Sequence, residues 1–398
     1  MRLQIFATHP VQYHVPLWKA LAGHPDLDVK VFYLNDQSVR GGYDKDFGLN
    51  IAWDVDLLSG YEHEFLSRDV SLDRPSEARI VDIDALLNRE RPDWIMISGY
   101  THAFERQLIR AAGKRSIRVL MRGEFSDLSY GERSLPKRIA RAAYLRWFYT
   151  HVDRFCFIGE GARQHLREHG VDDEQMTFSP YSVDDTLLDR QKSQFRRDQA
   201  RAELGIPDDR FVFVLSGKLI PRKDPAAVLH ALEHLPDLAR VGLIALGDGE
   251  LKDDFAAAAH KLLGSRFVFP GFVNQSKLGR YFVAADALVM SSLYETWGLV
   301  VNEAMHYGLP VIASTQVGCV PNLVLPGQTG LVYPAKDALA LARCMQRLIA
   351  NPGLARQLGE AGLKLIRSYT IAASAGGVYK ALGLRTPTTK SDELETAL

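Results

Sequence analysis

The sequence contains few cysteines. Only Cys156, Cys319 and Cys344 occur in 398 residues, and no two of them have the C-x-x-C spacing. An odd number of widely separated cysteines excludes a zinc knuckle or a disulfide framework. It also favours a reducing compartment for the folded protein.

An excess of one charge and long hydrophobic runs are also lacking. Lys+Arg and Asp+Glu both total 48, so the formal net charge is zero and gives no reason to expect nucleic acid as a partner. No run of about 18 apolar residues is free of charge, so no membrane-spanning helix is predicted. Residues 1–9 have no signal-peptide h-region and read as a first strand. We expect a cytoplasmic protein that at most rests on the inner face of the plasma membrane.

The sequence does contain a regular alternation of short apolar runs and longer amphipathic stretches. Apolar residues make up 46% and charged residues 24%, as in globular proteins. The alternation predicts an α/β fold, with strands and crossover helices of parallel sheets. The predicted strands are 3–7, 29–33, 94–97, 118–121 and 154–158 in the first half, and 211–215, 241–246, 267–269, 287–290 and 311–313 in the second.

Two domains are predicted from this pattern. The stretch 188–204 is rich in arginine and poor in large apolar residues, so we interpret it as a linker. The N-terminal domain is then 1–187 and the C-terminal domain 205–367, with 384–398 as a flexible tail. We expect two doubly wound domains that face each other across a cleft, with ligands bound beyond the carboxyl ends of the strands.

The strongest functional signal lies between Ser291 and Met305. A predicted strand ends just before it, and a helix begins near Gly298, where free backbone N–H groups form an anion site. Glu295 precedes that helix and Glu303 lies within it among apolar neighbours. A carboxylate on such an apolar helix is rarely buried without a partner, so the spaced pair indicates a site.

This stretch resembles the E-x7-E signature of family 4 retaining glycosyltransferases, which have the GT-B fold. Further segments follow in the family's order. They are 216–224, which resembles the donor-phosphate loop, 247–250 (the glycine turn), 268–273 (the strand and loop beside the nucleotide base) and 327–332 (the closing strand motif). The resemblance covers about residues 205–370 strongly and the N-terminal half only in outline.

The resemblance implies transfer of a sugar from a nucleotide-sugar donor with retention at the anomeric carbon. Lys218 and Lys223 would neutralise the donor diphosphate, Glu303 would hold the ribose diol, and Glu295 would hold hydroxyls of the transferred sugar. It also implies that the last helix, 368–382, returns to the N-terminal domain. The implied donor-binding residues are Gly217, Lys218, Lys223, Gly247, Gly271, Phe272, Val273, Glu295, Thr296, Trp297, Gly298, Leu299 and Glu303.

The N-terminal half is expected to hold the acceptor, a glycan, a lipid-linked sugar or a small molecule. His9, Gln12 and Tyr13 follow the first strand and face the cleft, or else they cap the next helix. The family often places a histidine near the anomeric carbon, and His102 is the best match. The implied catalytic residues are therefore His102, Lys218, Lys223 and Glu295.

Arg122 and Glu124 follow another predicted strand and also point towards the cleft. Glu124 would orient an acceptor hydroxyl, or it pairs with Arg122. The helix predicted within 133–149 is basic with aromatic residues at its end. It can lie on an anionic membrane surface, or it is an ordinary amphipathic helix packed on the first sheet.

No metal or other cofactor is expected. The D-x-D triplets at 54–56 and 82–84 fall in a turn and at a helix start, and lysines with helix N-termini replace the cation in the family. Two alternatives remain open at this point: a GT-B sugar-nucleotide epimerase or hydrolase, and a non-catalytic protein that binds a nucleotide-sugar.

Overall fold

The computed structural model describes residues 1–44, 46–67, 74, 76–126 and 134–387. Two predicted features extend beyond these ranges. Arg133, the first residue of the predicted basic helix, and 388–398, most of the predicted tail, lie outside the described residues.

The first half of the chain forms a seven-stranded parallel sheet and a separate antiparallel pair. The strands in chain order are β1 (Arg2–Ala7), β2 (Asp28–Tyr33), β3 (Gly42–Asp44), β4 (Leu49–Ile51), β5 (Glu62–Phe65), β6 (Trp94–Ile97), β7 (Arg118–Gly123), β8 (Arg154–Phe157) and β9 (Met176–Phe178). The sheet has the order β5-β2-β1-β6-β7-β8-β9, and β3 pairs with β4.

The second half forms a six-stranded parallel sheet. Its strands are β10 (Phe211–Ser216), β11 (Val241–Leu246), β12 (Phe267–Gly271), β13 (Ala287–Met290), β14 (Val311–Ser314) and β15 (Gly330–Tyr333). Their order is β12-β11-β10-β13-β14-β15. In both sheets the strand order therefore reverses beside the first strand, and ligands of doubly wound sheets bind at such a reversal.

Helices connect the strands of both sheets. In chain order they are α1 (Val15–Ala22), α2 (Gln37–Arg40), α3 (Ile83–Glu90), α4 (Ala103–Gly113), α5 (Leu135–Tyr149), α6 (Glu160–Glu168), α7 (Asp185–Gln194), α8 (Arg197–Glu203), α9 (Pro225–Glu233), α10 (Lys252–Leu263), α11 (Leu278–Ala284), α12 (Leu299–His306), α13 (Ala338–Ala350), α14 (Pro352–Ile366) and α15 (Ile371–Leu382).

The ten apolar runs are all strands, which confirms the predicted α/β fold. Most of them lie inside a sheet and are buried on both faces, so they read as continuous apolar runs. The strands β5 and β9, which are the two edge strands of the first sheet, were not predicted from the sequence. Both are short, and β5 has the sequence Glu-His-Glu-Phe, because an edge strand buries less of its surface.

The stretch 188–204 is folded into α7 and α8. Both helices pack against α11, and α7 also packs against α12. Leu188, Gln191 and Arg201 are buried there, although the stretch contains few large apolar residues. Further along, α15 packs on α1, β8 and β9 of the first sheet, and Tyr379 on α15 donates a hydrogen bond of 2.8 Å to the carbonyl of Ala20.

Arg201 on α8 is a buried charge that joins this helix to the second sheet. Its guanidinium group forms an ion pair with Asp286, at 2.6 Å from Oδ2, just before β13. It also donates to the carbonyl oxygens of Ala284, Asp208 and Arg210 at 2.9 to 3.1 Å. A buried cation with these partners stabilises one arrangement of the segments. Asp286 also pairs with Arg197 at 2.5 Å and accepts from the N–H of Val212 at 2.7 Å.

Replacement of Arg201 by alanine should therefore destabilise the protein. The three carbonyls lose their donor, and Asp286 loses one of its two cations. We therefore expect the free energy of unfolding to fall by about 3 kcal/mol, measured by urea unfolding of the full chain. Arg196→Ala is the matched control, because Arg196 is exposed and pairs with the exposed Asp198. Equal unfolding curves for the two variants would contradict this role of Arg201.

Candidate functional site

A cleft of about 560 Å³ lies where residues that follow β1, β10, β11 and β13 meet the start of α12. Sixteen of the predicted site residues line it: His9, Gln12, Tyr13, Glu124, Gly217, Lys218, Lys223, Gly247, Phe272, Val273, Glu295, Thr296, Trp297, Gly298, Leu299 and Glu303. Three others, His102, Arg122 and Gly271, do not line it.

Glycines at the ends of β10, β11 and β12 allow the strand ends to approach each other. Gly247 has φ 148°, and a Cβ there would overlap the carbonyl oxygen of Gly217. The N–H of Gly247 instead donates to the carbonyl of Gly271 at 2.8 Å. Gly271 therefore supports the loop through its backbone, while the next two residues, Phe272 and Val273, line the cleft.

Two cations from the turn after β10 reach Glu295. Lys223 forms an ion pair with Glu295, and Nη1 of Arg222 lies 3.8 Å from Oε2 of the same carboxylate. Burial lowers the pKa of the Lys223 ammonium group, and the charge of Glu295 acts against this effect. Arg222 was not among the predicted site residues, although it stands beside Lys223 in the donor-phosphate segment.

The start of α12 faces the same cleft. Gly298 at its N-cap has φ 99°, and a Cβ there would overlap the side chain of Met290. The first N–H groups of a helix have no intrahelical acceptor, and Leu299 and Val300 of the first turn line the cleft. The cations and these donors together form a site that suits a phosphate group.

Glu303 is buried at the inner end of the cleft. The hydroxyl of Tyr13 donates to its Oε1 at 3.0 Å, and the side-chain amide of Gln275 donates to the same oxygen at 3.4 Å. Burial raises the pKa of Glu303 to about 7, and the two hydrogen bonds act in the opposite direction. The expected partner of this buried carboxylate is thus a tyrosine of the other domain, which the sequence does not reveal.

The N-terminal domain contributes the opposite wall of the cleft. His9, Gln12 and Tyr13 line it, and burial lowers the pKa of the His9 imidazole. Glu124 also lines it and accepts a hydrogen bond from the hydroxyl of Thr296 across the cleft. Burial raises the pKa of Glu124, although its side chain keeps contact with the solvent in the cleft.

His102 lies beside the cleft without lining it, and its charge acts on the cleft residue His9. His102 is the N-cap of α4, its backbone N–H donates to Glu105 Oε2 at 2.8 Å, and its Nδ1 lies 3.7 Å from Glu105 Oε1. The side chain that the N-terminal domain brings to Glu295 and Thr296 is Glu124, whose pKa is raised in part by the charge of Glu295. The loop after β7 therefore reaches further into the cleft than the loop after β6.

Arg122 and Trp297 are also held by protein groups. The buried guanidinium of Arg122 donates to the hydroxyls of Ser179 and Ser374, both at 2.9 Å, and lines a smaller pocket of about 250 Å³. The indole N–H of Trp297 donates to Asn302 at 2.9 Å, and its side chain is 2% exposed. The buried Trp297 ring thus supports the loop before α12. Arg122 is bound by the two serines and does not pair with Glu124.

The antiparallel pair β3–β4 reaches across the cleft to Lys218, which sequence analysis did not predict. Lys218 Nζ lies 3.0 Å from Oδ1 and 3.2 Å from Oδ2 of Asp44, and 3.0 Å from Oδ2 of Asp46. Nearby, the Phe47 and Trp53 rings contact the ring of Phe272, with centroids 5.2 and 5.9 Å apart.

The carboxylates of the two D-x-D triplets have partners in the protein. Asp54 accepts hydrogen bonds from the N–H and the hydroxyl of Ser276 in the second half of the chain, and Asp56 accepts from the turn that follows it. Asp82 caps α3, and Asp84 forms an ion pair with Arg115 at 2.7 Å. Within the described ranges no group of three or more side chains could hold a metal ion.

Two family models match the chain. The model described as "Glycosyl transferases group 1" matches residues 196–365, and the "Glycosyl transferase 4-like domain" matches residues 53–182. The first range contains every donor-side group described above, and the second contains Glu124.

Curated relatives match about half of this chain. The D-inositol 3-phosphate glycosyltransferase of Streptomyces bingchenggensis is 35% identical over 211 residues, which is 50% of this chain and 46% of the relative. An uncharacterized glycosyltransferase of Methanocaldococcus jannaschii is 28% identical over 209 residues, 51% of this chain and 52% of the relative. The chain thus spans about half the length of the curated relatives it matches.

Solved structures match the chain over nearly its whole length. Sucrose-phosphate synthase from Thermosynechococcus elongatus has a TM-score of 0.73 at 21% identity and covers 96% of this chain and 99% of its own. Anabaena Alr3699/HepE in complex with UDP and glucose has a TM-score of 0.70 at 17% identity, with coverage of 96% and 99%. These likenesses show the GT-B fold, with two Rossmann-like domains.

The buried carboxyl of Glu303 predicts a pH-dependent stability. Folding raises its pKa from 4.5 to about 7, so between these values the native state binds more protons and its stability falls as the pH rises. Glu303→Gln removes this loss. Between pH 5 and pH 8 the free energy of unfolding of the wild type should therefore fall by about 2 to 3 kcal/mol relative to that of Glu303→Gln, measured by urea unfolding.

Two features make this comparison specific. Any cost of placing an amide beside Gln275 does not depend on pH, and Glu360→Gln on an exposed face of α14 is the control. Parallel stability profiles of the wild type and Glu303→Gln would show that Glu303 ionises normally, in contradiction to its burial.

Proposed function

Since this chain belongs to the group 1 glycosyltransferases, we propose that it transfers a glycosyl group from a nucleotide-sugar donor to a hydroxyl of an acceptor. The observation that carries the proposal is the convergence of Lys218, Lys223 and the start of α12 in one cleft with Glu295 and Glu303. Such a site offers cations and N–H donors to a diphosphate and carboxylate acceptors to sugar hydroxyls.

Each donor group has a counterpart in the cleft. Lys218, Lys223 and Arg222 bind the diphosphate together with the first N–H groups of α12. The inner carboxylate, Glu303, accepts hydrogen bonds from the ribose diol, and Glu295 accepts them from the transferred sugar. HepE, which has the same fold, is described in complex with UDP-glucose, and this supports a nucleotide-sugar as the donor.

The bond changes of the proposed transfer involve the donor and the acceptor alone. The acceptor oxygen bonds to the anomeric carbon while the bond from that carbon to the phosphate oxygen breaks. The electron pair leaves with the nucleoside diphosphate, and the acceptor proton passes to an oxygen of the departing phosphate. Both events occur on one face of the sugar, so the configuration is retained, as the family resemblance implies. The lysines stabilise the charge that develops on the phosphate.

The acceptor enters from the smaller pocket of about 250 Å³ in the N-terminal domain. Glu124 and Tyr181 line both this pocket and the cleft, so they stand where donor and acceptor meet. Glu124 then orients the acceptor hydroxyl towards the anomeric carbon. This is one of the two roles expected for Glu124 from the sequence, and a role of His102 near the anomeric carbon stays a prediction.

Transfer proceeds without a metal ion or another cofactor in this proposal. A divalent cation on a diphosphate neutralises charge, and the two lysines and Arg222 can supply the same effect. The carboxylates that resembled metal ligands, Asp54 and Asp56, are bound by Ser276 and by their own turn.

Nucleotide binding tests the donor site. Calorimetric titration with UDP, GDP, ADP, CMP and dTDP in the presence of EDTA should reveal micromolar binding of one nucleoside diphosphate. Lys223→Ala and Glu303→Ala each remove a charged hydrogen-bond partner, so each should weaken binding by about tenfold or more. Lys261→Ala, on the exposed side of α10, is the control and should bind normally.

Two results would count against the proposal. No binding of any nucleotide would remove the donor site, and binding only when Mg²⁺ replaces EDTA would remove its metal independence.

We also propose that α5 rests on an anionic membrane surface, where a lipid-linked acceptor would be found. Near the start of the helix, Leu135 and Ile139 are 66% and 61% exposed and flank the basic residues Lys137 and Arg138. Near its end, Trp147 is 36% exposed. An exposed apolar row flanked by basic side chains is typical of interfacial helices. No helix within the described residues is long and apolar enough to cross a membrane.

Loss of charge on α5 should weaken membrane binding. The triple variant with alanine at Lys137, Arg138 and Arg146 should sediment less with vesicles of equal parts phosphatidylglycerol and phosphatidylcholine. Arg141 is left intact because it donates to Tyr100 at 2.9 Å. Alanine at Lys261, Lys364 and Arg367 removes the same charge elsewhere. If both triple variants sediment like the wild type, or if the wild type does not bind, α5 is not a membrane contact.

A further inference from the structure

Lys218 is fully occupied by the N-terminal domain. An ammonium group has three N–H donors, and Lys218 directs its bonds to Asp44 and Asp46 at 3.0 to 3.2 Å. The side chain of Lys218 is 23% exposed, so these bonds are partly shielded from water. Two carboxylates thus stand where the proposed function requires a donor phosphate.

Glu303 is occupied in the same way. Its Oε1 accepts from the hydroxyl of Tyr13 at 3.0 Å, and Tyr13 in turn accepts from the amide of Gln275 at 3.1 Å. A hydroxyl group of the N-terminal domain therefore stands where the proposed function requires a ribose hydroxyl. Tyr13 and Glu303 both line the cleft, so a ligand that enters it meets this pair.

The protein groups that contact Lys218 and Glu303 resemble the donor groups proposed to bind there. Carboxylates stand in for phosphate oxygens on Lys218, and a phenol stands in for a ribose hydroxyl on Glu303. Lys223 differs, because its partner Glu295 belongs to the same domain. The competition therefore involves two separate points of the donor, its phosphate and its ribose.

We propose that Asp44, Asp46 and Tyr13 determine donor specificity by competing with the donor for Lys218 and Glu303, so that a ligand must carry both a phosphate and a ribose diol to replace both contacts. The inference rests on the proposed function and adds to it the basis of selection against ligand fragments. Specificity of this kind arises from interactions that the wrong ligand fails to replace.

The consequence for fragments follows from the contacts. Pyrophosphate can replace the two carboxylates on Lys218 but leaves the Tyr13–Glu303 bond in place, so it gains nothing at the ribose position. Uridine can replace Tyr13 on Glu303 but leaves Lys218 paired. UDP replaces both contacts: its diphosphate offsets the loss of the carboxylates on Lys218, and its ribose offsets the loss of Tyr13 on Glu303.

Three ligands and two variants distinguish competition at Lys218, the phosphate contact, from competition at Glu303, the ribose contact. UDP is titrated by calorimetry at pH 8, above the pKa of about 7 of Glu303, and uridine and pyrophosphate are measured by competition with UDP. In Asp44→Asn/Asp46→Asn the competing charges are lost, but the amide oxygen at position 44 can still accept from the N–H groups of Asp46 and Phe47. Tyr13→Phe removes only the competing hydroxyl.

The expected results are gains in affinity, which an unfolded variant cannot produce. Asp44→Asn/Asp46→Asn should bind UDP and pyrophosphate about three- to tenfold more tightly and uridine with unchanged affinity. Tyr13→Phe should bind UDP and uridine about three- to tenfold more tightly and pyrophosphate with unchanged affinity.

Asp54→Asn is the matched control. Asp54 follows the same antiparallel pair and contacts Ser276 in the second half of the chain, but it touches neither Lys218 nor Glu303. It should leave the order of affinities among the three ligands unchanged. UDP binding that no variant strengthens, or an equal gain for all three ligands, overturns the inference and leaves the proposed function intact. Absence of binding of UDP and of the other four nucleotides in every form removes both.

Discussion

Charge compensation across the cleft is the constraint on which the rest of the arrangement depends. Two lysines and two glutamates converge between the sheets, where a charged group without a partner would be costly. Lys223 is therefore paired with Glu295, and Lys218 with Asp44 and Asp46. The lysines that suit an anionic ligand are thus paired with anionic side chains of the protein.

The fold supplies the places where these charges meet. Both sheets reverse their strand order beside the first strand, and the loops that follow β1 and β10 carry Tyr13 and Lys218 into the same cleft. The antiparallel pair β3–β4 crosses to the second domain, and the side chain of Asn274 donates to the carbonyl of Ala52 at 2.7 Å. The relative placement of the domains thus depends on the same segments that line the site.

Much of the fold and of the donor side could be predicted from the sequence. Buried parallel strands appear in the sequence as continuous apolar runs. A carboxylate such as Glu303 within an apolar helix indicates a buried polar partner. The partner itself, Tyr13, lies 290 residues away, and no local pattern identifies it. The strands β3 and β4 have three residues each, too few for a periodic signal, so the contacts of Asp44 and Asp46 with Lys218 could not be foreseen. His102 and Glu124 both follow strands of the first sheet, and only the three-dimensional course of their loops decides which one reaches Glu295.

The most direct test of the account is a crystal structure of the protein with UDP. We expect the diphosphate between Lys223 and the start of α12, the ribose hydroxyls on Glu303, and the base beside Phe272. The account also predicts that Tyr13 is displaced from Glu303 and that Asp44 and Asp46 are displaced from Lys218. UDP bound elsewhere, or bound in the cleft without contact to Lys223 and Glu303, would contradict the central claim that these residues form a nucleotide-sugar site.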